Sequence, residues 1–144
     1  MNIQNKLLEY ENELVLSEKY TFFNNNWKSI FPNHSGVYVV WEKGKPIYVG
    51  ETSGLKSRMS DITRPINHAF TKKISKKYSL LELDKLRKFM SDNYQLSYIT
   101  VNLGRSEIEE YLILRWRETL INKPTTRLLK GVQYSWVKPS DSYE

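Results

Sequence analysis

Tyr38, Tyr48 and Arg58 follow one another at intervals of ten residues, and their types suit chemistry at a phosphate. A phenol near positive charge has a lowered pKa and takes a proton from water more readily. A guanidinium brings permanent charge and a planar fork that fits an oxyanion. Two phenols and an arginine converging in a basic protein can activate water beside a phosphate. Each residue alone has a plainer reading. Strand tyrosines are commonly packing residues, and this chain has ten tyrosines.

The elements that would position these groups can be read from the pattern. Val37 to Trp41 are β-branched or aromatic, Lys43-Gly44-Lys45 signals a turn, and Pro46 leads into a second extended run, Ile47-Tyr48-Val49. That hairpin puts a tyrosine near the outer end of each strand, where cross-strand neighbours meet. Ser53-Gly54 opens a helix through Leu55, Arg58, Met59 and Ile62 that stops near Arg64-Pro65. Helical spacing over residues 2–20 gives an expected buried stripe of Ile3, Leu7, Leu8, Leu14 and Leu16. A further helix is expected from Ser79 to Asp92, and a third strand from Gln95 to Leu103. Ser106 with Glu109 forms a capping-box pattern that starts a long helix to about Ile121. Leu128 to Val137 reads as a short extended segment. The fold class is α/β, a small central antiparallel sheet of about three strands flanked by helices.

Gly36-Val37-Tyr38, Tyr48-Val49-Gly50 and Arg58 together resemble the GIY-YIG nuclease superfamily. The resemblance extends to Glu110 and Asn122, twelve residues apart as in the family's later helix, and covers residues 36–122. It implies a metal-dependent endonuclease. Tyr38 or Tyr48 would activate water, Arg58 would stabilise the phosphate, and Glu110 would hold Mg²⁺ or Mn²⁺. Asn122 would orient the helix end or a ligand. Helical geometry alone does not separate Glu110 from Glu109, since both interrupt apolar sectors; spacing to Asn122 favours Glu110. DNA is the implied substrate, with RNA left open.

Two positions depart from the family pattern. Glu51 stands where the excision-repair relatives carry a lysine, and Ile62 where many members carry a histidine or tyrosine one turn after the arginine. His68 is the candidate substitute, as general base or phosphate contact, against a plain surface-loop reading. His34 reads as structural. Lys72, Lys73, Lys76 and Lys77 are followed by Lys85, Arg87 and Lys88, and spacings of three and four would put several of them on one helical face as a nucleic-acid track.

Composition sets the frame. A chain of 144 residues, 40% hydrophobic, reads as a single domain with a helical extension over 1–30, a core over 36–122 and a tail over 123–144. A net charge of +6 points to a polyanionic partner. The chain has no cysteine, which argues against a disulfide scaffold and fits a reducing cytoplasm. No apolar run approaches a membrane span. A lone domain of this kind would be directed to its target by homodimerisation or a partner protein. The competing expectations are a catalytically silent nucleic-acid-binding module, which Ile62 and Glu51 favour, and an interaction domain without nucleic acid.

Overall fold

The computed structural model describes residues 3–24, 26–62, 64–65 and 67–123. Four strands form one antiparallel sheet: β1 (Tyr20–Thr21), β2 (Gly36–Glu42), β3 (Lys45–Thr52) and β4 (Gln95–Thr100), in spatial order β1-β4-β2-β3. The expected three strands are therefore four. The addition, β1, is only two residues long, too short to show an alternating pattern.

The β2–β3 hairpin closes through Lys43 (φ 51°) and Gly44 (φ 78°). Two consecutive left-handed residues make the kind of turn whose twist matches the strands it joins. Every residue from Gly36 to Trp41 is buried, because helices cover both faces of the sheet. Val37, Val39, Trp41 and Val49 face one side with α1 (Ile3–Leu16) and α5 (Arg105–Arg115). Tyr38, Val40 and Tyr48 face the other, against α2 (Leu55–Asp61), α3 (Ala69–Lys77) and α4 (Leu83–Asn93). Burial on both faces explains why β2 reads as a continuous apolar run.

Several expected boundaries move. In α1 the core-facing residues are Leu7, Glu11 and Leu14, while Ile3 and Leu16 are exposed. Glu11 occupies a core position because Tyr111 Oη donates to its carboxylate at 2.7 Å and Arg115 Nε at 3.1 Å. The helix expected from Ser79 begins at Leu83, since Ser79 itself is left-handed (φ 54°) and the chain turns there. The stretch before it forms its own helix, α3. At α5 the N-cap is Gly104 (φ 85°), with no side-chain cap, so the Ser106 capping box does not form. That helix ends at Arg115 rather than Ile121. Thr119 then donates to the Pro46 carbonyl (2.7 Å) and the Ile121 amide to Ile47 (2.7 Å), laying the chain along the outer edge of β3. The segment Leu128 to Val137 lies outside the described residues.

Candidate active site

Across the hairpin Tyr38 pairs with Gly50, and Tyr48 with Val40. The two tyrosines are thus diagonal neighbours on one face rather than directly opposed. Their rings stack with centroids 6.4 Å apart. Glycine at position 50 makes this possible. A Cβ there would meet Tyr38 Cζ at 2.2 Å and Oη at 2.3 Å, so the phenol lies over the bare backbone of its partner strand. Gly36 is under similar constraint, with a Cβ falling 2.3 Å from the Ile99 carbonyl oxygen.

His68 completes the cluster. It is 1% exposed, its ring 5.8 Å from Tyr38 and 5.7 Å from Tyr48. It is also the N-cap of α3, where Nδ1 accepts from the Phe70 amide (3.1 Å). An amide only donates. The neutral ring therefore carries its proton on Nε2, which lies 2.7 Å from Tyr38 Oη and donates to it. Burial and the nearby Arg58 charge lower the His68 pKa to about 3. A ring with both nitrogens engaged has no site for a proton from water, and it is not a surface histidine either. Ile62, by contrast, is fully buried core.

Arg58 projects from α2 into the same place. Its guanidinium donates to the Asn67 carbonyl (3.1 Å), just before His68, and lies 3.9 Å from Asp61. It also acts on the phenols. Burial raises the pKa of Tyr38 well above 10, and Arg58 opposes this both as a charge and as a hydrogen-bond donor. Tyr48 is likewise raised by burial and partly relieved by Arg58. The expectation of phenols lowered by positive charge is thus reversed at rest, because burial outweighs the arginine.

On α5 the Glu109 charge reaches both Tyr38 and Tyr48. Burial, then the Glu51 charge, raises its pKa to about 7, while the Glu51 amide hydrogen-bonds it and Glu110 acts on it from the next position. Glu110, which the spacing favours, is half-buried beside it. Glu51 is held by Arg105 Nε at the start of α5. Asn122 binds the edge strand instead of the phenols: Oδ1 accepts from the Val49 amide (3.3 Å) and Nδ2 donates to the Val49 carbonyl (2.6 Å). It thereby satisfies backbone groups on the open edge of β3.

The expected basic track divides. Lys72, Lys73, Lys76 and Lys77 are exposed on α3, but Lys85, Arg87 and Lys88 belong to α4 and do not share its face. Lys85 pairs with Glu82 and Lys88 with Asp92. Sequence reasoning passed over Arg105 and Glu11, which hold Glu51 and α5 in place; a buried glutamate amid the apolar positions of α1 was the available signal.

A tyrosine-bearing hairpin, an arginine on the next helix and a carboxylate on a later helix define the GIY-YIG arrangement. The family model of the GIY-YIG catalytic domain matches residues 34–124, and the chain belongs to that family. Among solved structures it is similar to the GIY-YIG N-terminal endonuclease domain of UvrC from Thermotoga maritima bound to magnesium. The identity is 20%, over 76% of this chain and 91% of that one, with a TM-score of 0.43. Two point mutants of that domain also match at 20% identity, with TM-scores of 0.43 and 0.41, covering 76% of this chain and 90% and 91% of theirs. No curated protein matches.

Proposed function

We propose that this protein is a metal-dependent endonuclease that hydrolyses phosphodiester bonds in DNA. The observation that carries the reading is the convergence of Tyr38, Tyr48, His68 and Arg58 on one face of the hairpin, with the Glu109 charge acting on both phenols.

The residues fit a divalent cation. Glu109 is a partly buried carboxylate pressed by the Glu51 charge, a repulsion that a cation would relieve. Among the described residues no three His, Cys, Asp or Glu come together. That suits a magnesium-type site, in which one carboxylate is supplemented by waters and substrate oxygens. Glu109 would hold the ion, with Glu110 the alternative. A bound divalent cation supplies positive charge that favours the phenolate and offsets charge on the phosphorane.

The chain's own groups do the rest. His68 Nε2–H donates to Tyr38 Oη and the Arg58 charge acts on it, so its phenolate is stabilised whenever it forms. That phenolate takes a proton from the attacking water. The water oxygen bonds to phosphorus as the bond from phosphorus to the 3′ oxygen breaks; that oxygen leaves as an alkoxide and takes a proton from solvent water, while Arg58 holds the added negative charge of the phosphorane. His68 is a positioning residue here, not the base. Exposed Lys72, Lys73, Lys76 and Lys77 would contact backbone phosphates.

A second reading has one observation behind it. Both phenols are under 10% exposed and protonated at rest, which suits a silent nucleic-acid-binding module. Supercoiled plasmid with Mg²⁺ or Mn²⁺ separates the two. Nicking by wild type that EDTA, Arg58→Ala and Glu109→Ala abolish, with Glu110→Ala retaining activity, is the expected result. Binding without cleavage of plasmid, single-stranded DNA or RNA hands the case to the silent module.

A further inference from the structure

A second candidate site lies beside α2, away from the tyrosines. An open cleft of about 730 Å³ runs between α4 and the 3₁₀ turn Trp27–Ile30. Among the described residues its charged lining is cationic, Lys28, Arg87 and Lys88, the last paired with Asp92. Phe23 supplies an aromatic wall, its ring edge-on to Trp27 with centroids 5.5 Å apart. Both Phe23 (φ 61°) and Asn26 (φ 67°) are held in the left-handed region. That conformation costs a non-glycine residue energy and is retained where the surroundings enforce it.

The independent observation is Arg87. Its Nε is buried, and among the described residues none accepts a hydrogen bond from it. A buried donor without an acceptor is costly, so the Arg87 guanidinium, which lines the cleft, gains by turning toward an anionic oxygen bound there. Trp27 ties the cleft to the catalytic helix by donating Nε1–H to the Met59 carbonyl (3.1 Å), adjacent to Arg58.

We propose that this cleft is a subsite for a nucleotide of the nucleic-acid substrate flanking the one that is cut. Arg87 and Lys28 hold a backbone phosphate there, and a base rests against Phe23. The proposal rests on the nuclease reading, since it supplies that substrate's second point of attachment. The size is right for one nucleotide, because small-ligand sites typically enclose about 300–1,000 Å³. The chemistry is right as well: guanidinium and ammonium groups on phosphate, with an aromatic ring for a base face, are the parts of a sequence-tolerant nucleic-acid groove. Subsite and catalytic cluster together would bracket α2.

The test is fluorescence anisotropy of a labelled 20-nucleotide single strand and of its duplex, in EDTA, across a salt series. The proteins are wild type, Lys28→Ala, Arg87→Met and the double variant. Arg87→Met keeps an unbranched apolar stem of similar length on α4, and Lys28 is exposed, so its removal does not threaten folding. The double variant is expected to lose about tenfold in affinity and to flatten the log–log salt slope by about one to two, the loss of one or two phosphate contacts. Lys6→Ala, which removes the same charge from α1, leaves affinity and slope as in wild type. An unchanged slope in the Lys28 and Arg87 variants, from a wild type that binds, overturns the subsite alone. A flattened slope from a wild type that binds but does not nick supports the subsite and overturns only the catalytic reading. Wild type that binds neither probe overturns both.

Discussion

Gly50→Ala isolates the packing on which the tyrosine cluster depends. The new Cβ would sit 2.2 Å from Tyr38 Cζ, whereas ordinary contact begins near 3.4 Å, so the ring must move by more than an ångström. Tyr38 is 1% exposed and packed against Tyr48 and His68, so its ring cannot move without displacing them. The same movement breaks the 2.7 Å contact with His68 and strands a buried imidazole N–H. Overpacking costs about 1–3 kcal/mol, and the stranded donor about as much again. A total of about 2–6 kcal/mol corresponds to a fall in Tm of roughly 5–20 °C for a domain of this size.

The decisive measurement is a double-mutant cycle with Tyr38→Leu, read by urea unfolding. Leucine keeps the site apolar but does not reach across to position 50. In that background Gly50→Ala is expected to be neutral or slightly stabilising, since glycine inside a strand is otherwise a cost of about 0.5–1 kcal/mol. A coupling of at least about 1.5 kcal/mol is expected between the two positions. Equal destabilisation by Gly50→Ala in both backgrounds would refute the argument, because the clash would then not be with the phenol.

Two further outcomes follow from the buried polar groups. His68 has a folded pKa of about 3 against 6.5 unfolded, so the unfolded chain takes up a proton that the folded chain refuses. Stability is complete above pH 6.5 and falls as the pH drops toward 3; at pH 5 wild type should have lost about 2 kcal/mol that His68→Asn, which keeps a cap for α3, does not lose, and identical pH profiles would be the contrary result. Glu11→Ala removes the acceptor for Tyr111 Oη and Arg115 Nε between α1 and α5, and urea unfolding should show a loss of about 2–4 kcal/mol, whereas a loss below about 0.5 kcal/mol would mean the pair is not worth its burial.

The hairpin was legible because two β-branched runs and a two-residue turn carry their geometry locally. So was the arginine helix, with Arg58 one turn inside its start. The features that escaped depend on what packs against what. A run of lysines spanning residues 72–88 looks continuous until the backbone turns at Ser79 and assigns its halves to different helices. Two carboxylates in a row on α5 look equivalent until β3 lies beside them and brings the Glu51 amide to Glu109. The phenols look activated by Arg58 until both faces of the sheet are covered. Desolvation then dominates the charge that was visible in the sequence.

His68 reaches the tyrosine cluster from a different part of the chain. The helix position one turn past Arg58 belongs to Ile62, whose side chain is wholly committed to the core. The imidazole arrives instead from the next helix, and its N-cap duty decides its chemistry. With Nδ1 fixed on the Phe70 amide, the ring can offer Tyr38 only a donor. A histidine delivered from within α2 would carry no such constraint and could present either nitrogen. In this chain the helix start that places His68 also sets its tautomer. Under the proposed nuclease chemistry, proton acceptance would fall to Tyr38, and the imidazole would hold the phenol oxygen in place and favour its anion.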